Sequence, residues 1–169
     1  LISTNNGHIV LITTAGDLTV TEGADSVDDQ GVNANGSGNI LLQSEAGSLY
    51  LQGGVTTVSG SISIIGQVDV TQSAIGDIQA GLTGTIDVEA LTGSITMVDG
   101  AAAITNNANI RYAAAQNIAL ARIDAGAGDV SLTASTGNIT DAGDTDVEVT
   151  ASSLRIDAGG NIGAVADNG

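Results

Sequence analysis

The sequence predicts an all-β chain wound into a parallel β-solenoid, a right-handed three-sided β-helix of about seven coils. Two observations carry that expectation. A five-residue phrase (glycine, polar, apolar, any, apolar) recurs in pairs along the whole chain. The pairs divide the 169 residues into units of roughly 22 residues, a length at which solenoid repeats stack. Composition agrees: 24 glycines, two tyrosines as the sole aromatics, and no proline, cysteine, tryptophan or phenylalanine. An interior built from Ile, Val, Leu and Ala without large rings suits a thin, regular core.

The strongest pairs are "GHIVLITTAGDLTV" from Gly7, "GNILLQSEAGSLYL" from Gly38, "GTIDVEALTGSITM" from Gly84 and "GDVSLTASTGNITD" from Gly128. In each, the second glycine follows the first by nine residues, at Gly16, Gly47, Gly93 and Gly137. Weaker pairs fill the gaps: "GSISIIGQVDV" from Gly60, "ANIRYAAAQNIAL" from Ala108 and "TDVEVTASSLRI" from Thr145.

Apolar residues two apart share one face of a strand. Ile40 and Leu42, Leu49 and Leu51, Ile86 and Val88, Ile95 and Met97, Val130 and Leu132, and Ile139 are therefore expected inside. Leu41, Tyr50, Asp87, Thr96 and Ser131 are expected outside. The leading glycine permits a sharp corner, including left-handed backbone. The polar residue after it can hydrogen-bond its own turn. A third side needs looser strands, and Val55–Val58, Ile78–Ala80, Ala103–Thr105 and Ile123–Ala125 supply them. Helix formers in "AAAQNIALARIDA" do not change this, because Gln116–Leu120 fits the strand phrase in register. Right-handedness is the rule for parallel crossovers.

The phrase has two irregularities. Residues 21–37 interrupt the spacing and predict a protruding acidic loop, with Val27 and Val32 as its apolar anchors. Asp141 stands where an inward apolar residue is due, so either the strand ends at Ile139 or the coil bulges there.

Three arginines stand against 19 acids, and the formal charge is −16. Such a surface disfavours nucleic acid and anionic lipid, which need a cationic footprint. The longest aliphatic run, Ile9–Ile12, is too short for membrane insertion. Without cysteine there are no disulfides or thiolate metal sites.

"GNILL…GSLYL", "GDVSLTASTGNIT" and "SSLRIDAGGNIG" resemble the β-helical repeats of giant bacterial exoproteins, the filamentous-haemagglutinin-like adhesins among them. The likeness runs from Gly7 to Gly163 and is specific to the repeat class. It implies a secreted bacterial protein, extracellular or at the cell surface, with a β-helical shaft and a role in adhesion or surface structure. The chain contains no Arg-Gly-Asp.

No residue qualifies as catalytic or as a cofactor or metal ligand. His8, the sole histidine, sits at an outward corner, and a nucleophile–base machine needs a positioned partner. The rival function is a carbohydrate-active β-helix of the polysaccharide lyase or glycoside hydrolase type. Asp69 and Asp87 are its candidate paired carboxylates, in matching outward positions of successive units with Glu89 near. Calcium has a weak possibility at the acidic stretches holding Asp25, Asp28 and Asp29, and Asp141, Asp144, Asp146 and Glu148. Neither matches an EF-hand or glycine-rich calcium loop. Thr19 and Thr21 pair as on an ice-binding face, but the pair does not recur. Arg111, Arg122 and Arg155 read as surface ion pairs.

The expected function is therefore a structural, non-enzymatic segment of an extracellular fibre, shaft or adhesin. Residues 1–169 form one solenoid segment, part of a longer array or fibre. "AVADNG" followed by "LISTNNGHIVLI" would read as uninterrupted repeat, so the expected partners are further copies or repeats stacked end to end. A surface receptor or polysaccharide is a further possible partner.

Overall fold

A computed structural model describes residues 2–23, 29–143 and 147–163. Every regular element in it is a β-strand, and the strands recur in threes. The first coil has β1 (Ile2–Asn5), β2 (Ile9–Thr13) and β3 (Leu18–Thr21). The second has β4 (Gln30–Asn35), β5 (Ile40–Ser44) and β6 (Leu49–Gln52). The third has β7 (Gly54–Thr57), β8 (Ile62–Gly66) and β9 (Val70–Gln72). The fourth has β10 (Ile78–Ala80), β11 (Ile86–Ala90) and β12 (Ile95–Met97). The fifth has β13 (Ala102–Thr105), β14 (Ile110–Ala114) and β15 (Ile118–Leu120). The sixth has β16 (Arg122–Asp124), β17 (Asp129–Ala134) and β18 (Ile139–Asp141). A seventh begins with β19 (Val149–Thr150) and β20 (Ser153–Ala158), then continues as a single bridge from Ile162 to Ile139.

Each strand pairs in parallel with its counterparts one coil away. Three sheets result: seven strands from β1 to β19, seven from β2 to β20, and six from β3 to β18. The chain is thus a three-sided parallel β-helix. The first phrase of each pair makes the β2–β20 sheet and the second makes the β3–β18 sheet. The looser strands expected for the third side are all in the β1–β19 sheet.

The register stacks like on like. Ile40, Ile62, Ile86, Ile110 and Val130 form one inward column, and Leu42, Ile64, Val88, Tyr112 and Leu132 the next. All eleven expected core residues are buried. Full burial of such a side chain is worth about 1.5–3 kcal/mol, and a column of them drives stacking. The outward residues are half-buried or exposed. Tyr50 is half-buried rather than free, because Thr19 and Thr71 flank it in register.

Four expectations need correction. Residues 30–35 are not loop but strand β4, which buries Val32 and Ala34 beneath Val55 and Thr57. A register shift between Gln30 and Val32 accommodates Gly31 and hides the period. Val27 lies outside the described residues. Asp141 does not follow the strand's end: β18 runs through it. Its Oδ1 accepts the Gly143 N–H at 2.8 Å, so the carboxylate closes the next turn instead of lying unpaired in the core. "TDVEVTASSLRI" is not a pair of the usual kind. Val149–Thr150 belongs to the β1–β19 sheet, Ser153–Ala158 to the β2–β20 sheet, and "GGNIG" supplies the second phrase.

The leading glycines also serve a different end from the one expected. Among those of the strong pairs, Gly16 alone has a left-handed φ, at 80°. Gly38, Gly60 and Gly84 have ordinary backbone, but a Cβ there would collide with the carbonyl oxygen of Gly7, Gly38 and Gly60 respectively. Glycine is required because successive coils touch backbone to backbone at this corner.

Candidate functional site

Of the residues that the sequence offers for chemistry, His8 and Asp69 lie at corners. At most of these corners a polar residue, usually just after a glycine, accepts on its side chain the backbone N–H of its counterpart one coil on. In the first corner Asn39 N donates to His8 Nδ1 at 3.0 Å, Ser61 N to Asn39 Oδ1 at 2.9 Å, and Thr85 N to Ser61 Oγ at 3.2 Å. Asp129 N donates to Asn109 Oδ1 at 2.9 Å further along.

The second corner is an unbroken ladder. Ser48 N donates to Asp17 Oδ1, Asp69 N to Ser48 Oγ, and Ser94 N to Asp69 Oδ1, at 2.8, 3.3 and 2.8 Å. Asn117 N donates to Ser94 Oγ, Asn138 N to Asn117 Oδ1, and Asn161 N to Asn138 Oδ1, at 3.2, 2.9 and 2.7 Å. The first corner has the same device two residues earlier, at Asn6, which accepts from Ser37 N at 3.2 Å, and at Asn107, which accepts from Ala127 N at 2.9 Å. Both of these asparagines are left-handed. The polar residue therefore bonds the neighbouring coil, not its own turn.

This geometry separates the paired carboxylates. Asp69 is a rung of the second corner, in the loop before β9. Asp87 lies on β11, opposite Ser63 and Arg111 in the β2–β20 sheet. One lies at a corner and the other on a strand of a different side of the coil, so they do not form the matched pair expected from the sequence. His8 is likewise a corner rung, as its outward position suggests.

The arginines all meet acids. Arg111 reaches Asp87 Oδ1 at 2.7 Å and Glu89 Oε1 at 3.3 Å, while Arg122 pairs with Asp124 and Arg155 with Asp157, each at 2.8 Å. Burial works to lower the Arg111 pKa, but hydrogen bonds to Asp87 and Glu89 outweigh it and hold the guanidinium above its ordinary value. These pairs are exposed, so each contributes little stability. Beside Arg111 and Arg155, on the β2–β20 sheet, lies an open depression of about 530 Å³, bordered by Asp87, Arg111, Ser131 and Arg155.

One polar group in the core escaped the sequence reading. Gln72 occupies an inward position between Leu51 and Met97. The buried Tyr112 hydroxyl donates to Gln72 Oε1 at 3.1 Å, and Gln72 Nε2 donates to the Ala102 carbonyl at 2.8 Å. Ala102 N in turn donates to Asp77 Oδ1 at 2.8 Å. Burial, with the Asp77 charge nearby, pushes the Tyr112 phenol far up, so it stays a donor. Partial burial raises Asp77, its bond from Ala102 N–H works against this, and the Asp29 charge adds to the rise. The signal was a glutamine at a position the phrase reserves for an apolar residue.

No group of three or more acids or histidines among the described residues is placed to hold a metal ion. Asp25, Asp28, Asp144 and Asp146 lie outside the described residues. No helix there is long and apolar enough to cross a membrane. No protein-family model, curated protein or solved structure matches the chain.

Proposed function

We propose that the chain is a structural segment of an extracellular or cell-surface bacterial shaft, of the kind its repeats resemble, and performs no catalysis. One observation supports this best. The residues best suited to chemistry (His8, Asp17, Asp69, the corner asparagines and serines) serve as rungs that tie coil to coil. Their acceptor atoms are directed along the rod axis rather than toward a bound molecule. The acidic sides would keep neighbouring shafts apart in solution.

Mechanical and chemical experiments test the reading together. Pulling the chain by its ends should peel it coil by coil. Each step should lengthen it by roughly 70–80 Å, the reach of about 22 extended residues. Incubation with neutral and uronic-acid polysaccharides should release neither new reducing ends nor unsaturated uronates. Release that disappears in Asp87→Asn would overturn the proposal in favour of a carbohydrate-active enzyme.

A further inference from the structure

On the fourth, fifth and sixth coils one side of the rod carries no charge. Residues 90–98, 114–121 and 134–140 lead from the β2–β20 sheet through the second corner and along the β3–β18 sheet. They hold no acid and no base, in a chain of charge −16. An open depression of about 540 Å³ lies at this corner, bordered by Thr92, Ala115, Gln116, Asn117, Thr136 and Asn138. Thr96, Ala119 and Thr140, stacked in register, continue the uncharged surface onto the β3–β18 sheet.

Two rows of side chains run through the depression along the rod axis, and they leave opposite halves of a hydrogen bond unused. In the first row Thr92 Oγ1 donates to the Gln67 carbonyl at 2.7 Å, Gln116 Nε2 to the Thr92 carbonyl at 3.0 Å, and Thr136 Oγ1 to the Ala115 carbonyl at 2.7 Å. Those bonds take up the hydroxyl protons and leave the two threonine oxygens and Gln116 Oε1 as acceptors. The second row is the corner ladder. Asn117 and Asn138 each accept the next coil's N–H on Oδ1, at 2.9 and 2.7 Å. Each carboxamide NH2 therefore remains as a donor, with no partner among the described residues. Both rows repeat at the coil spacing of about 4.8 Å.

We infer that this uncharged corner is a binding site for a neutral polysaccharide lying along the rod axis, with Asn117 and Asn138 donating to its hydroxyl groups and Thr92, Gln116 and Thr136 accepting from them. The inference rests on the shaft reading and names what the shaft grips, without cleaving it. A sugar hydroxyl both donates and accepts, so adjacent hydroxyls on a glycan meet the donor row and the acceptor row together. Each contact is weak alone, and repetition at successive coils lets several act at once. A uronate or sulfated chain brings charges that find no cation in the depression, and the net charge of −16 opposes its approach. A peptide finds no pockets for its side chains, since among the described residues Ala115 alone supplies an apolar side chain to the depression.

Affinity electrophoresis tests this, with retardation read against a native gel that holds no probe. The probes are dextran, laminarin, galactomannan and hydroxyethyl cellulose, with polygalacturonate and gelatin in parallel gels. At least one neutral polysaccharide should retard the chain, while polygalacturonate and gelatin should not. Asn117→Asp and Asn138→Asp together remove both donors yet keep both rungs, because an aspartate oxygen already serves as a rung at Asp17 and Asp69. This double variant should lose about tenfold or more in affinity. Asn39→Asp makes the same change at a rung of the first corner and should be retarded like wild type. Gln116→Ala, at an exposed side chain, should give a smaller loss. Circular dichroism on heating checks that all the variants keep their β-structure. No retardation by any of the four neutral probes overturns the inference. So does equal retardation by polygalacturonate or gelatin, or a double variant that binds like wild type. A chain that is not retarded but still peels coil by coil leaves the shaft reading standing, whereas retardation accompanied by new reducing ends strikes the shaft reading and not the site.

Discussion

Replacing Gly60 by alanine tests whether glycine leads each phrase for space or for backbone freedom. Gly60 has no left-handed φ, so backbone strain is not the issue. Its added methyl would land on the Gly38 carbonyl oxygen, with Asn39 N only 2.9 Å away. Relief needs a local separation of roughly 1 Å, since carbon and oxygen do not pack much closer than about 3 Å. Three bonds cross or close this corner. Thr57 Oγ1 donates to that same Gly38 oxygen at 2.9 Å, Gly60 N donates to Thr57 Oγ1 at 3.1 Å, and Ser61 N donates to Asn39 Oδ1 at 2.9 Å. Each is worth about 0.5–1.5 kcal/mol net, so losing two or three costs about 2–4 kcal/mol. Urea unfolding followed by circular dichroism measures it, with Gly23→Ala as the control. Gly23 has open space and no left-handed φ, and its alanine variant should be neutral or stabilising by up to about 1 kcal/mol. If Gly60→Ala unfolds within about 0.5 kcal/mol of wild type, the close-approach explanation is wrong.

Two further perturbations probe the buried polar link. Tyr112→Phe strands Gln72 Oε1 in the core and should cost about 1–3 kcal/mol, as should Gln72→Leu. The double variant removes both polar partners and should recover part of the loss; simple additivity in thermal unfolding would refute the coupling. Asp77→Asn concerns pH. The folded chain holds the Asp77 proton more tightly than the ordinary value of 3.8, so this group favours folding most at low pH and opposes it as pH rises through the folded value. An asparagine Oδ1 can still accept the Ala102 N–H. Asp77→Asn should therefore gain stability relative to wild type on going from about pH 3 to pH 7, and a difference that is flat or falls over that range counts against the assignment.

Much of the architecture was legible because the phrase carries its own register. Ile-x-Leu and its variants fix which side chains face inward, and the nine-residue step between glycines fixes two strands per coil. The third sheet was readable wherever its strands kept a period of two, as at Ile78–Ala80. It was hidden at Gln30–Asn35, where a register shift and glycine at position 31 mask a strand that buries Val32 and Ala34. Phase was the other weakness. "DVEV" mimics the phrase, so residues of one sheet were assigned to another. Asp69 and Asp87 were likewise matched by similar local sequence, although a corner and a strand centre separate their roles. Local pattern identifies a strand but does not count which side of the coil it occupies. The Tyr112–Gln72 link was beyond reach because the partners are 40 positions apart and meet only through stacking.

The corner rung has a bearing on how such a chain can change over time. A rung asks for one acceptor atom on a short side chain, within reach of a neighbour's N–H. In the first corner a histidine nitrogen, an asparagine oxygen and a serine hydroxyl fill equivalent places. Exchange among these residues therefore leaves the rod's geometry intact, and rung positions are free to drift in identity. Gaining or losing one whole coil leaves every remaining rung with a counterpart. Changing the chain by a fraction of a coil throws the ladders of both corners out of step at once. Rod length is thus adjustable by duplication or deletion of complete coils, while glycine is held where a Cβ would strike the neighbouring coil, as at Gly38, Gly60 and Gly84.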